Sequence, residues 1–206
     1  MIVAVVGSGG KTTYINEQAR RYVAEGKRVL VTTTTHMYAT ADTLFTNDAG
    51  EICACLQAKG YCMAGQRADA EIPASAPDAL DVKCKDSEGI KIRALSAEVL
   101  AEAAQCADVV LVEADGSKGK PVKYPAPHEP VIPAGTDQIV IVMGFFALGQ
   151  TIAEACHRQE LVCRCLGALP DHRLTEEDLE KLVEEGYRKP LKKRFPQAEF
   201  FLKKSL

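Results

Sequence analysis

The feature that most constrains this chain is its opening stretch, MIVAVVGSGGKTTYINEQARRYVAEGKRVLVT. Ile2 to Val6 is an unbroken apolar, mostly β-branched run closed by a glycine, which suits a strand buried on both faces. Lys11 to about Glu25 has helical character, and Gly26 follows as a helix-ending residue. Arg28 to Thr32 then reads as a second buried strand. Strand, glycine loop, helix and strand in this order make one βαβ unit with a parallel sheet. The loop therefore sits where a strand hands over to a helix N terminus, and free backbone amides and the helix dipole there favour an anion.

The same alternation continues downstream. Asp108 to Val112 and Ile139 to Met143 read as further buried strands, and Ala198 to Leu202 as a closing one. Ser96 is placed to cap a helix reaching about Cys106, and a further helix covers Arg158 to Leu166. Thr175 with Asp178 three residues on resembles a capping box, with Asp in place of the usual Glu. The region of about residues 44–95 is less regular. Within it Glu51 to Lys59 reads as a short helix, Tyr61 to Gly65 and Lys91 to Ala94 as strands, and Pro73 and Pro77 as markers of a loop. The expectation is one α/β domain over residues 1–206, doubly wound, with a mainly parallel sheet and helices on both faces.

Composition bounds the function. Hydrophobic residues are 47%, charged residues 26%, and the formal net charge is −3, so a broad footprint for nucleic acid or a membrane surface is not expected. The first apolar run lacks the length and basic flank of a signal peptide, and no segment approaches bilayer length; a cytoplasmic protein is expected. Eight cysteines (53, 55, 62, 84, 106, 156, 163 and 165) include no C-x-x-C pair. Small buried thiols are the expectation, with metal or selenium handling by Cys53/Cys55 or Cys163/Cys165 as the alternative. Cys163 and Cys165 fall in a helix-like run, where residues two apart diverge.

Four constellations carry candidate chemistry. The loop Gly7-Ser8-Gly9-Gly10-Lys11-Thr12-Thr13 approaches the phosphate-loop pattern G-x-x-x-x-G-K-[ST], but Val5 stands where the first glycine belongs. Its glycines let the main chain approach phosphates, Lys11 is the residue type that reaches β- and γ-phosphates, and Thr12 can offer a hydroxyl to Mg²⁺. The second is "DVVLVEADGSKGKP", which delivers Glu113 and Asp115 at a strand's carboxyl end, where ligands of open α/β sheets gather. Either acid suits metal binding or orientation of a nucleophile. The third is "TTTTHM", where Thr35 and His36 either line the crevice or simply belong to a threonine-rich strand. The fourth is the proline-stiffened "KGKPVKYPAPHEPVIP", whose bases, Lys118 among them, are placed to close over an anion. Arg158, at a helix start, is a further candidate for neutralising phosphate charge.

Taken in order, "VVGSGGKTT", "VLVTTTTHM", "VLVEADGSKGKP", "PHEPVIP" and "ALGQTIAEACHRQELV" resemble the YqeC-type proteins, a family regarded as accessory to selenium-dependent molybdenum hydroxylases. The resemblance covers residues 2 to about 167. It implies a P-loop NTPase-like fold that binds Mg²⁺ with ATP or GTP, and a role in maturing a selenium-containing molybdenum cofactor enzyme. Residues 7–13 are also similar to the G-T-x-G-K-T-T loop of Mur-type ATP-dependent ligases, so Val5 is no objection. The resemblance also implies that relatives carry Asn-Lys-x-Asp on a late strand, a motif that reads guanine in other P-loop proteins. Here Lys203 and Leu206 occupy its asparagine and aspartate positions, so guanine preference does not carry over. The expected function is hydrolysis, or phosphoryl or nucleotidyl transfer, from a Mg²⁺-nucleotide. The alternatives are a non-catalytic carrier or insertion chaperone for selenium or the molybdenum cofactor, and a nucleotide-gated scaffold.

Overall fold

The computed structural model describes residues 1–68 and 89–206; Pro73, Pro77 and Cys84 lie outside them. The strands are β1 (Ile2–Gly7), β2 (Val29–Thr33), β3 (His36–Tyr38), β4 (Thr43–Phe45), β5 (Tyr61–Arg67), β6 (Lys91–Arg93), β7 (Val109–Glu113), β8 (Val122–Lys123), β9 (Gln138–Gly144), β10 (Cys156–His157) and β11 (Glu199–Ser205). The helices are α1 (Lys11–Ala24), α2 (Ala49–Lys59), α3 (Ala97–Cys106), α4 (Ile152–Ala155), α5 (Gln159–Leu166), α6 (Glu176–Val183) and α7 (Lys189–Arg194). A wider π turn, Glu184–Arg188, joins the last two.

The main sheet runs β11-β9-β1-β7-β2-β5-β6-β3, with β4 also on β5. From β11 to β5 every pairing is parallel; β6 pairs antiparallel with both β5 and β3, so it alone runs against the rest. Because β1 lies between β9 and β7, the loop after β1 and the acids after β7 leave the same edge of the sheet side by side. The expected mixed α/β architecture with a mainly parallel sheet is what forms.

Strand alternation sorts the core into two faces. Val3, Val5, Val29, Val31, Val109, Leu111, Val140 and Val142 pack with Ile15 and Ala19 of α1. On the other face, Leu30, Val110 and Val112 meet Ile52 and Leu56 of α2 and Leu100 and Ala103 of α3. Ala4, Val6, Ile139, Ile141 and Met143 meet α4 to α7. Central strands buried on both sides explain why their sequences read as continuous apolar runs.

Local caps follow the sequence closely. Asp48, Ser96, Thr151 and Thr175 each accept a hydrogen bond from the third residue onward, and the last two complete capping boxes with Glu154 and Asp178. Helix α1 differs: Gly10 precedes it, and no side chain caps it.

The cysteine expectation needs correcting. Cys53 and Cys106 form a disulfide between α2 and α3, with Cα atoms 5.5 Å apart across 53 residues of sequence. Both helices pack on the same face, which brings together two thiols that no spacing rule connects. Such bridges are uncommon in the reducing compartment that composition suggested. Cys62 and Cys156 do fit the buried-thiol expectation, and burial pushes each thiol up to about 12. No helix among the described residues is long and apolar enough to cross a membrane.

Candidate phosphate-loop site

The site grows from the carboxyl ends of three adjacent strands. Gly7 ends β1 with φ 94°, and Gly9 and Gly10 follow Ser8 at 72° and 121°, three left-handed positions that side chains other than glycine resist. A Cβ on Gly9 would lie 2.6 Å from Pro121 O. The loop is thus pressed between β9 and the start of the proline-rich segment. Ser8 is buried, and its amide donates to Val142 O at 2.9 Å. The loop then turns into α1, whose first-turn amides have no helical partner by geometry.

Lys11 is 5% exposed. Its Nζ donates to Gly7 O at 2.9 Å and stands 3.8 Å from Glu113 Oε1. Thr12, on the exposed side of the same turn, donates its hydroxyl to Glu113 Oε2 at 3.2 Å. Thr33 fixes the backbone beneath: its Oγ1 donates to Glu113 O at 2.8 Å, and the Thr34 amide donates to the same oxygen. Burial lowers the Lys11 pKa, against the pull of Glu113 and Asp115. Burial likewise raises Glu113, against Lys11 and the Thr12 hydrogen bond. Both shifts point toward neutrality, so desolvation here exceeds an attraction acting over 3.8 Å.

Asp115, fully buried, is in a different situation. Its Oδ2 accepts from the Gly7 amide at 3.2 Å and from Tyr187 Oη at 2.9 Å, while Lys123 Nζ bonds Oδ1. Lys123, fully buried, also pairs with Glu129 at 2.8 Å, and Glu129 pairs with Arg158 at 2.8 Å. Burial works to raise Glu129, but the Lys123 hydrogen bond, the Ala126 amide and the Lys123 and Arg158 charges together hold it below the usual range. Tyr187 is pushed well up, first by burial and then by Asp115.

The sequence-derived site residues therefore divide. Gly7, Ser8, Gly9, Gly10, Lys11, Thr12, Thr13 and Glu113 come together. Asp115, read with Glu113 as an acid for a metal or a nucleophile, has both its oxygens hydrogen-bonded to protein groups. Arg158, expected to neutralise phosphate, has its guanidinium on Glu129. Thr35 lies in the turn after β2, bonded through its amide to Thr33 Oγ1, whereas His36 is exposed on β3 opposite Arg93. Lys118 is exposed on a left-handed turn, φ 49°, just before Pro121. Cys163 and Cys165 sit half-buried and two residues apart on α5. Lys123, one of the bases of the proline-rich segment expected to close over an anion, is instead buried between two acids, and no role was expected of Glu129 or Tyr187. Glu129 belongs to the same proline-rich segment, and Tyr187, inside the charged run EEGYRKP, carried no signal.

Two cavities open on the surface. The larger, about 450 Å³, is lined by Leu166, Leu169, His172 and Asp178 among others and shares no residue with the loop. The other, about 310 Å³, runs from Gly10, Thr13, Tyr14 and Glu17 to Lys203–Leu206 at the end of β11. The second adjoins the candidate site, since the loop forms one wall.

The YqeC protein family matches residues 3–160. The chain belongs to the YqeC family. Consistent with that membership, it is similar to the Escherichia coli (strain K12) "Uncharacterized protein YqeC", with 32% identity over 206 residues, 97% of this chain and 70% of the relative. The YqeC match contains the glycine loop, both acids and the proline-rich segment. No solved structure matches the chain.

Proposed function

We propose that this chain is a Mg²⁺-dependent nucleoside triphosphate-binding protein of P-loop type that hydrolyses its nucleotide or transfers a phosphoryl or nucleotidyl group from it. The observation that carries the reading is the convergence of Lys11, Thr12 and Glu113 on one uncapped helix start, with Nζ 3.8 Å and Oγ1 3.2 Å from the carboxylate. Left-handed glycines let a loop turn its amides toward an anion. A buried ammonium whose pKa is lowered by desolvation gains from a phosphate partner.

Hydroxyl and carboxylate are the hard oxygen donors that Mg²⁺ prefers. Among the described residues no cluster of three or more His, Cys, Asp or Glu is arranged to hold a metal. Mg²⁺ sites are commonly held by one or two protein oxygens and completed by phosphates and water. Thr12 and Glu113 would hold Mg²⁺ here, and the ion, when bound, supplies charge neutralisation on the phosphates. Lys11 binds phosphate oxygens, and the amides of residues 9 to 13 orient them. The base is ATP- or GTP-type; Lys203 and Ser205 stand in the groove beside Gly10, where they can meet it. The role as accessory factor in maturing a selenium-dependent molybdenum hydroxylase rests on the family resemblance alone.

Calorimetric titration with ATP and GTP in Mg²⁺ tests the reading. Wild type should bind one of them, and Lys11→Ala should lose at least about tenfold in affinity, the worth of one charge-assisted hydrogen bond. Equal heats from both proteins, or no heat from either, would retire it.

A further inference from the structure

The ion network behind the loop is costly to build. Lys123 is fully buried between Asp115 and Glu129, and Tyr187 places a hydroxyl inside an otherwise apolar cluster. Apolar residues of similar volume commonly serve stability as well as a buried ion pair does, so such a network calls for a geometric reason. Its geometry supplies one. The β1–β7 ladder runs through Val5 and Glu113, and the Ala114 amide donates to Val5 O at 3.0 Å. Beyond that point β7 no longer offers a carbonyl to β1. The Gly7 amide is received instead by Asp115 Oδ2, so a side chain extends the ladder to the residue where the chain turns left-handed.

Asp115 in turn is held from two directions. Tyr187 reaches it from the π turn, a wider coil that often marks a functional position. Lys123 reaches it from β8, which is locked to β10 and stands next to Pro121, against which Gly9 packs.

We propose that Tyr187 and Lys123 are positioning residues of the nucleotide loop: acting through Asp115, they hold the Gly7 amide and so the turn on which the phosphate cradle is built. The link to nucleotide rests on the reading in the preceding subsection; the link to the loop does not. Neither residue touches the phosphates or the metal. They set where the amides point.

Tyr187→Phe removes one oxygen atom, and Lys123→Met removes the charge while keeping the stem. Two readouts apply to each: calorimetric affinity for ATP and GTP across a Mg²⁺ series, and amide hydrogen exchange at Gly7 in the ligand-free protein. The expected result is faster exchange at Gly7 than at β9, and affinity lower by about tenfold, with the Mg²⁺ concentration for half-maximal binding unchanged. Wild-type exchange at Gly7 in both variants overturns the proposal, as does a shifted Mg²⁺ dependence, which would mean action through the metal. Should Lys123→Met fail to fold, Tyr187→Phe decides alone. If wild type binds neither nucleotide, the nucleotide reading fails, and Gly7 exchange still decides whether the network holds the loop.

Discussion

Glu113 and Asp115 leave the same strand two residues apart and enter opposite environments. Glu113 faces Lys11 and Thr12 across 3.8 and 3.2 Å, with burial driving both members of the ion pair toward neutrality. Asp115 accepts from an amide, a phenol and a buried ammonium. On the Glu113 side the two charges stand 3.8 Å apart, and on the Asp115 side each carboxylate oxygen is held by a direct hydrogen bond. On the proposed reading, the first is the place where a ligand gains energy and the second holds the first in shape.

Breaking the two acids in parallel tests this with the largest expected effect. Asp115→Ala strands Lys123 beside one remaining carboxylate, and urea unfolding should show a loss of about 3–5 kcal/mol, as for a broken buried pair. Glu113→Gln keeps the shape and the acceptor for Thr12, and should cost under about 1.5 kcal/mol. Similar costs would erase the contrast.

A second substitution separates stability from binding. Cys53→Ser removes the bridge between α2 and α3, and for a loop of 53 residues the loss should be about 2–4 kcal/mol under non-reducing conditions. Nucleotide affinity measured below the unfolding transition should not move. If it falls with stability, the site is sensitive to global loosening, and the positioning role of Asp115 loses its distinct meaning.

Titration sharpens the Glu113 side. Glu113 has a raised pKa, so its contribution to stability is fully present below 4.5 and is lost as pH rises through the raised value. Lys11 has a lowered one, so stability recovers as pH climbs from that value toward 10.5. Unfolding free energy should therefore dip between the two windows, and Lys11→Met with Glu113→Gln should flatten the dip. A double variant with an unchanged profile would contradict the assignment.

The smallest effect is expected at Asp108, at the other end of β7. Its hydrogen bond to the Arg28 guanidinium, followed by that to the Arg28 amide, holds the carboxyl at about 2, below 3.8. It stabilises above 3.8 and ceases to as pH falls through about 2, so Asp108→Asn should remove a slight part of the acid-unfolding slope.

Much of this was legible in the sequence. Buried parallel strands announce themselves as apolar runs, so β1, β2, β7 and β9 were read within a residue or two. Glycines followed by Lys11 and Thr12 marked the loop, and Ser96 and Thr175 marked their caps. What stayed hidden depends on distance along the chain. The Cys53–Cys106 bridge, Tyr187 reaching Asp115 over 72 residues, and the capture of Arg158 by Glu129 arise only once helices are packed. Asp115 and Glu113 read alike, as acids for a metal or a nucleophile. Nothing local showed that Lys123 and Tyr187 would take the Asp115 oxygens.

The most direct measurement is a crystal structure of the protein soaked with Mg²⁺ and a non-hydrolysable triphosphate analogue. The account predicts phosphate oxygens on the amides of residues 9 to 13 and on Lys11 Nζ, the metal beside Thr12 and Glu113, and Asp115 still on Gly7. Phosphates bound elsewhere, or Asp115 released from Gly7 to ligate the metal, would contradict it.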